Sequence, residues 1–429
     1  MTIFINRYRW LALAVMLTLS VAALAWGQGT AGTVEERLQK LETENKDLRS
    51  LLDSLRQELE RLRGTSAAPA PATATDTVDI EELLEPPAGT EQTVTNLGDP
   101  GMDTASNPFI SFSFDFATNM GDRQPALYDV DGRNRKRILG LRSLEMMAQR
   151  GVSAYADAFV TYGDHGHGFE LEEGYIDINR LIPQTNIRLG KWRTAFGPYN
   201  PVHEHQVPFV SYPRSLTNFF GDHGVTGEGV EVAYQPRTRD YLQLRGGLYR
   251  KLGAGTPVFA ADQEERLSTS AQVRYNRQLS DLTDLDLRIG YLNAPNEDAI
   301  GTRTEMFSSA LQWRRDQGNL RSDRVVLEWT GMDRETGVGN VRRNAVSALY
   351  LKQLGQYHDW GMLYDNAQFG DPGLQGRTQH YSAFYTWKAQ ETQWLRALYR
   401  HGRYPTGSDT NELVLQSIWS IGPHSHEFN

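Results

Sequence analysis

The sequence predicts an all-β chain: an antiparallel transmembrane β-barrel of about 16 strands, preceded by an N-terminal α-helical coiled coil. Three observations predict it. From residue 107 on, apolar and polar residues alternate at period 2, segment after segment. Most segments are nine to thirteen residues long, the length a tilted strand needs to cross a bilayer. The connections alternate between long and short, as they do when loops lie outside the cell and tight turns lie in the periplasm.

Composition narrows the classes. With no cysteine, disulfide frameworks, thiolate metal sites and cysteine catalysis are excluded. A mean hydropathy of −0.53 is far too polar for a bundle of membrane helices. The formal net charge is −9, and most of it lies ahead of Asn107. From Asn107 on, 35 Lys and Arg face 37 Asp and Glu, so no segment carries the basic excess of a nucleic-acid binder.

Residues 1–27 read as a secretory signal. Arg7 and Arg9 precede a stretch, Trp10 to Trp26, that is apolar except for Thr18 and Ser20, and Ala23-Leu24-Ala25 is a small-x-small cleavage site. A retained membrane span is the alternative. Residues 33–63 carry heptads. The a positions are Leu38, Asn45, Leu52 and Leu59; the d positions are Val34, Leu41, Leu48, Leu55 and Leu62. Of the four g-to-e pairs, Arg37–Glu42, Glu44–Arg49 and Glu58–Arg63 are opposite in charge and Leu51–Arg56 is not; the three favour parallel self-association over a helix lying on its own protein. Asn45 fixes register without choosing between dimer and trimer. Residues 64–106 are a Pro/Ala-rich linker with eight acidic residues and no basic one, unable to bury a core.

Residues 107–429 form the barrel. The expected strands are 108–120, 137–149, 152–162, 169–180, 186–196, 228–236, 241–250, 267–279, 284–292, 304–315, 324–332, 344–353, 358–367, 378–388, 393–401 and 412–421. The pattern is plain in Leu285, Leu287, Ile289 and Tyr291, which alternate with Asp284, Asp286, Arg288 and Gly290. Closure removes strand edges that lipid cannot satisfy. Tyr162, Trp192, Tyr291, Trp329, Tyr364, Trp387 and Trp419 are candidates for interfacial girdles, with ordinary packing the alternative for each.

Two segments then carry a family likeness: Glu172-Glu173-Gly174-Tyr175-Ile176-Asp177, and Arg188-Leu189-Gly190-Lys191-Trp192-Arg193-Thr194-Ala195-Phe196-Gly197. Together they resemble the paired-strand signature of the phosphate-selective porin (porins O and P) superfamily. The coiled coil ahead of the barrel is similar to that of dicarboxylate-type outer-membrane porins of the same group. The resemblance implies an outer-membrane homotrimer of sixteen-stranded barrels with constricted, basic, selective pores and no cofactor. Two departures stand out. The chain ends on Asn429, with Phe428 penultimate, where such barrels end on an aromatic residue. The barrel region has only five lysines (Lys136, Lys191, Lys251, Lys352 and Lys388), so phosphate selectivity does not carry over.

Strand parity places Arg245, Arg274, Arg288, Arg396, Arg400 and Arg188 inside the barrel. They can select anions or pair with wall carboxylates such as Asp157, Asp284, Asp286 and Glu328. The connection 197–227 is the longest. The resemblance implies that it narrows the pore, with Tyr199, Asn200, His203, Glu204, His205, Arg214, Asp222 and His223 as its polar residues, and Asn218 among them; a disordered outer loop is the alternative. His165, His167, His203, His205 and His223 raise metal binding, although their spacing matches no closed metal motif. No catalytic spacing stands out. The expected function is passive diffusion of small hydrophilic solutes, chiefly anions such as phosphate or carboxylates. The alternatives are an outer-membrane anchor whose coiled coil tethers a periplasmic or cell-wall partner, and metal-ion uptake through the histidine-bearing loops.

Overall fold

The computed structural model describes residues 108–122, 124–128, 140–166, 168–263 and 266–422. The signal segment, coiled coil, linker, His167 and the terminal Phe428-Asn429 lie outside the described residues. Sixteen strands close into one barrel, each antiparallel to its sequence neighbours, with the first pairing the last. They are β1 (Phe109–Gly121), β2 (Gly140–Ser153), β3 (Ala156–Asp164), β4 (Phe169–Ile182), β5 (Thr185–Arg193), β6 (Thr226–Tyr234), β7 (Tyr241–Leu252) and β8 (Ser268–Ser280). The second half is β9 (Thr283–Pro295), β10 (Arg303–Asp316), β11 (Arg321–Thr336), β12 (Gly339–Leu354), β13 (His358–Gln368), β14 (Arg377–Gln390), β15 (Gln393–Arg403) and β16 (Asp409–Ile421).

Parity sorts the side chains. On β9, Asp286, Arg288, Gly290 and Leu292 are buried toward the lumen, while Leu285, Leu287, Ile289 and Tyr291 line the outer face. Leu244, Leu248, Val273, Leu327, Met362, Leu413 and Leu415 continue that outer belt as exposed apolar residues. A belt of this size would drive association in water. In a bilayer it is solvated by lipid, and the closed ladder leaves no backbone edge unpaired. Tyr162, Trp387 and Trp419 are exposed on the outer face, and Tyr291, Trp329 and Tyr364 lie on the same parity. Trp192 is a correction. It lies four residues from Arg188 on β5, shares that residue's inward face, and packs fully buried against Tyr249 at 5.5 Å.

The connections separate two ends. At the turn end, strands join through two to six residues, from 154–155 between β2 and β3 to 235–240 between β6 and β7. At the loop end lie 194–225, 253–267, 296–302, 369–376 and 404–408. One expected long connection is instead tight. Residues 165–168 join β3 to β4, near the short 163–168 expected, whereas residues 337–338 join β11 to β12, where 333–343 was expected. There the ladder continues through charged pairs rather than apolar alternation, with Arg342 Nε donating to Asp333 Oδ2 at 3.0 Å. Alternation of polarity disappears, yet strand pairing does not.

Candidate functional site: a loop folded into the lumen

The connection 194–225 turns back into the barrel. Gly197 starts the turn at φ +66, in the region glycine favours, and a Cβ there would fall 2.3 Å from Glu328 Oε1. Asn200 staples the loop's base. Its Nδ2 donates to Thr194 O and to Val225 O at 2.8 Å each, and its Oδ1 accepts from Val225 N at 2.7 Å. Pro213 then caps a one-helix segment, α1 (Arg214–Phe220), all seven residues of which are buried; Gly221 ends it.

Hydrogen bonds fix this loop to walls all round. Arg142 on β2 donates through Nη1 to Val210 O at 2.6 Å, pairs with Glu204 at 3.4 Å and is held by Asp115. Gly197 N donates to Ser308 Oγ on β10 at 3.2 Å. Ser215 Oγ donates to Glu328 Oε2 on β11 at 3.0 Å. Asn218 Nδ2 donates to Thr378 Oγ1 on β14 at 2.9 Å, and its carbonyl accepts from Gly370 N at 2.9 Å. Arg396 on β15 donates through Nη1 to His205 O at 3.2 Å, and Arg400 donates through Nη2 to Ser211 Oγ at 2.7 Å. Arg214 Nη2 donates to Gln124.

Apolar contacts fill the space between. Phe196 meets Phe220 edge-on at 5.7 Å, Tyr199 meets Phe209 at 5.6 Å, Phe209 reaches Phe384 on β14, and Phe220 meets Phe259 from the connection 253–267. Fully burying such a side chain contributes about 1.5–3 kcal/mol, so the cluster holds the loop in place rather than letting it wave. Burial also pushes the Tyr199 and Tyr212 hydroxyls well above the usual phenol range.

All six sequence-predicted arginines face the lumen, and five meet carboxylates. Arg188 donates to both oxygens of Asp177 at 2.7 Å and stacks on Tyr175. Arg245 meets Glu231 at 3.0 Å. Arg274 and Arg288 converge on Asp286, at 2.6 and 3.0 Å. Arg400 lies 3.6 Å from Glu412. Arg396, buried, has no carboxylate at ion-pair distance among the described residues. Of the four carboxylates named from sequence, Asp286 holds two of these arginines, Asp157 pairs with Arg180 at 2.9 Å, and Glu328 receives hydroxyls from Ser215 and Ser347 instead; no arginine pair of Asp284 is seen among the described ion pairs. Exposure matters more than the pairing. The side chains of Arg245 and Arg274 are 27% and 32% exposed, whereas Glu231 and Asp286 are 3% and 1%. On this face the guanidiniums are therefore the more exposed groups, with the carboxylates behind them.

Three inward carboxylates, Glu145, Glu172 and Glu173, were not assigned to the lumen from the sequence. A register shift between Thr161 and Tyr162 bulges β4, so that the adjacent Glu172 and Glu173 both turn inward. With Glu145 on β2 they surround His203. His203 keeps its proton well above the ordinary imidazole range: burial opposes the charge, and the charge of Glu145 with contacts to Glu172 and Glu173 outweighs it. His165 is raised as well: burial opposes the charge, and its bond to Glu172 outweighs it. Tyr199, Asn200, His203, Glu204, His205 and Arg214 are thus brought together inside. Asp222 and His223 lie at the edge of this group: their side chains are 43% exposed and 3.5 Å apart, and the His223 ring meets that of His165 edge-on at 4.9 Å.

No family model matches the chain. A segment of 186 residues is 27% identical to an uncharacterised protein of Aquifex aeolicus (strain VF5), and the match spans 39% of each chain. Among solved structures, the anion-selective porin from Comamonas acidovorans superposes with a TM-score of 0.53 at 11% identity, over 73% of this chain and 99% of that one. The outer-membrane channel DcaP of Acinetobacter baumannii gives 0.51 at 11% identity, over 73% and 96%. At these identities the likeness is one of fold: the described barrel shares the architecture of outer-membrane porins.

Proposed function

We propose that the chain is an outer-membrane porin for passive diffusion of small hydrophilic solutes, with a preference for anions such as phosphate or carboxylates. The observation that carries this is a closed sixteen-strand barrel whose connection 194–225 is fastened across the lumen, beside partly exposed guanidiniums backed by buried carboxylates. The loop sets size and the arginines set charge. The fold shared with an anion-selective porin supports the same reading. A homotrimer, seated in outer-membrane lipid with the coiled coil on the periplasmic side, completes the proposal.

A second reading has its own support. The aromatic packing of Phe196, Phe209, Phe220 and Phe259 within the lumen suits a barrel that serves as an anchor, with the coiled coil tethering a periplasmic or cell-wall partner. Swelling of proteoliposomes in solutes graded by size and charge separates the two. A porin gives swelling that falls with solute size and favours anions over cations of equal size. An anchor gives none with any solute.

A further inference from the structure

Where the lumen loop meets β2 and β4, nitrogen and oxygen donors from four separate segments converge. Glu145 comes from β2, His165 from the turn between β3 and β4, Glu172 from the β4 bulge and His203 from the loop itself. Donor atoms of Glu145, His165 and Glu172 all lie within 4.8 Å of one another. His165 Nε2 lies 2.5 Å from Glu172 Oε1. His203 Nδ1 lies 3.0 Å from Glu145 Oε2 and 3.3 Å from Glu172 Oε2. Yet neither His203 Nδ1 nor Glu172 Oε2 has a well-directed hydrogen bond, although both side chains are nine-tenths or more buried. These two atoms thus face each other at 3.3 Å across a shared space, each beside opposite charge but without a directed hydrogen bond. Gly163 keeps that space open, since a Cβ there would fall 1.9 Å from Glu172 Oε1 and 3.2 Å from His165 Nε2.

The surroundings suit a cation. The other ring nitrogen of His203, Nε2, is hydrogen-bonded to Glu173 Oε2 at 2.9 Å. His205 Nδ1 holds the far oxygen of Glu145, Oε1, at 3.0 Å, which leaves Oε2 turned inward. A carboxylate behind the imidazole and a donor behind the carboxylate are the supports that orient metal ligands. Three buried carboxylates, Glu145, Glu172 and Glu173, face Arg193 as the nearest permanent cation, 3.6 Å from Glu172, while Arg142 is engaged by Asp115 and Glu204.

We propose that Glu145, His165, Glu172 and His203 form a binding site for one divalent transition-metal ion of the zinc type. Two imidazoles and two carboxylates select such an ion over magnesium or calcium, which prefer all-oxygen cages. Bonds of about 2.0–2.2 Å in a tetrahedron put neighbouring donors about 3.3–3.6 Å apart; the 3.0 and 3.3 Å around His203 Nδ1 come near this, and the 2.5 Å between His165 Nε2 and Glu172 Oε1 has to open as the ion replaces their hydrogen bond. The ion joins β2, β4 and the lumen loop, so it is a fixed clamp rather than cargo. This proposal stands whether the barrel conducts or only anchors.

The test is equilibrium dialysis of the refolded full chain, stripped with EDTA, against ZnCl2. Folding is checked by heat-modifiable migration on gels. One zinc per chain is expected to be retained against excess Mg2+. Glu172→Gln and His165→Asn each weaken binding at least about tenfold, and Glu173→Gln weakens it about 10–100-fold through the orientation of His203. His358→Asn with His401→Asn, on the outer face, leaves binding unchanged. The wild-type chain gives a second readout: Co2+ bound here develops the intense visible absorption of a tetrahedral site. Absence of retained zinc in the folded chain, unchanged binding in both Glu172→Gln and His165→Asn, or a Co2+ spectrum of the hydrated octahedral type would overturn the proposal.

Discussion

Ser215 Oγ donates to Glu328 Oε2 at 3.0 Å, joining the first turn of the lumen helix α1 to the wall strand β11. Glu328 also crowds Gly197, so one buried carboxylate receives the loop near its start and again at its helix. Ser347 is its third neighbour, at 3.3 Å. Ser215→Ala should therefore loosen the loop and cost about 1–3 kcal/mol, because a buried acceptor loses its shorter donor. Urea unfolding in lipid vesicles measures the loss, and the solute-size limit in swelling assays should rise with it.

Asn200 gives a sharper case. It bridges Thr194 and Val225, the two ends of the connection, and its side chain lies wholly inside. Asn200→Ala strands the Val225 amide and removes a donor from two carbonyls. The loss should exceed that of Ser215→Ala, at roughly 2–4 kcal/mol. The barrel itself should survive, since its ladder does not involve Asn200. Proteolysis within 194–225 that rises while barrel migration on gels stays normal would be the expected pattern.

The arginine arrangement predicts a change of sign. Arg245→Ala combined with Arg288→Ala removes two guanidiniums and leaves Glu231 and a share of Asp286 uncovered. Selectivity should move toward cations, read as a shifted reversal potential under a KCl gradient. An unchanged potential would remove these residues from the filter.

The heptads make a separate prediction. On the proposal that residues 33–63 form a coiled coil with Asn45 setting its register, deleting them should weaken the oligomer on native gels and leave the barrel folded. An oligomer of unchanged stability would mean that the barrels associate through their own outer faces.

Much of the architecture was legible in the residues. Alternation such as Val325, Leu327 and Trp329 against Glu328 and Thr330 marks a strand with one apolar outward face, and it located all sixteen strands with ends shifted by a few residues. Parity also put the six arginines inside. Their partners were less legible, because Glu231, Asp177 and Glu412 are set by register between strands, not by spacing along one. Glu172 and Glu173 were hidden by a bulge, since strict alternation sends adjacent residues to opposite faces. The hairpin joining β11 and β12 was missed because its paired residues beyond the belt are charged. Asn200 read as a polar loop residue, and only the fold reveals that both ends of the loop meet on it.

The most direct test of the central claim is planar-bilayer conductance of the refolded full chain, with reversal potential measured under a KCl gradient. A lumen narrowed by the loop 194–225 and faced with guanidinium should give stepwise channels and an anion-shifted potential. A correctly folded barrel that gives no channels at all would contradict it, and would leave the anchoring role as the account of this molecule.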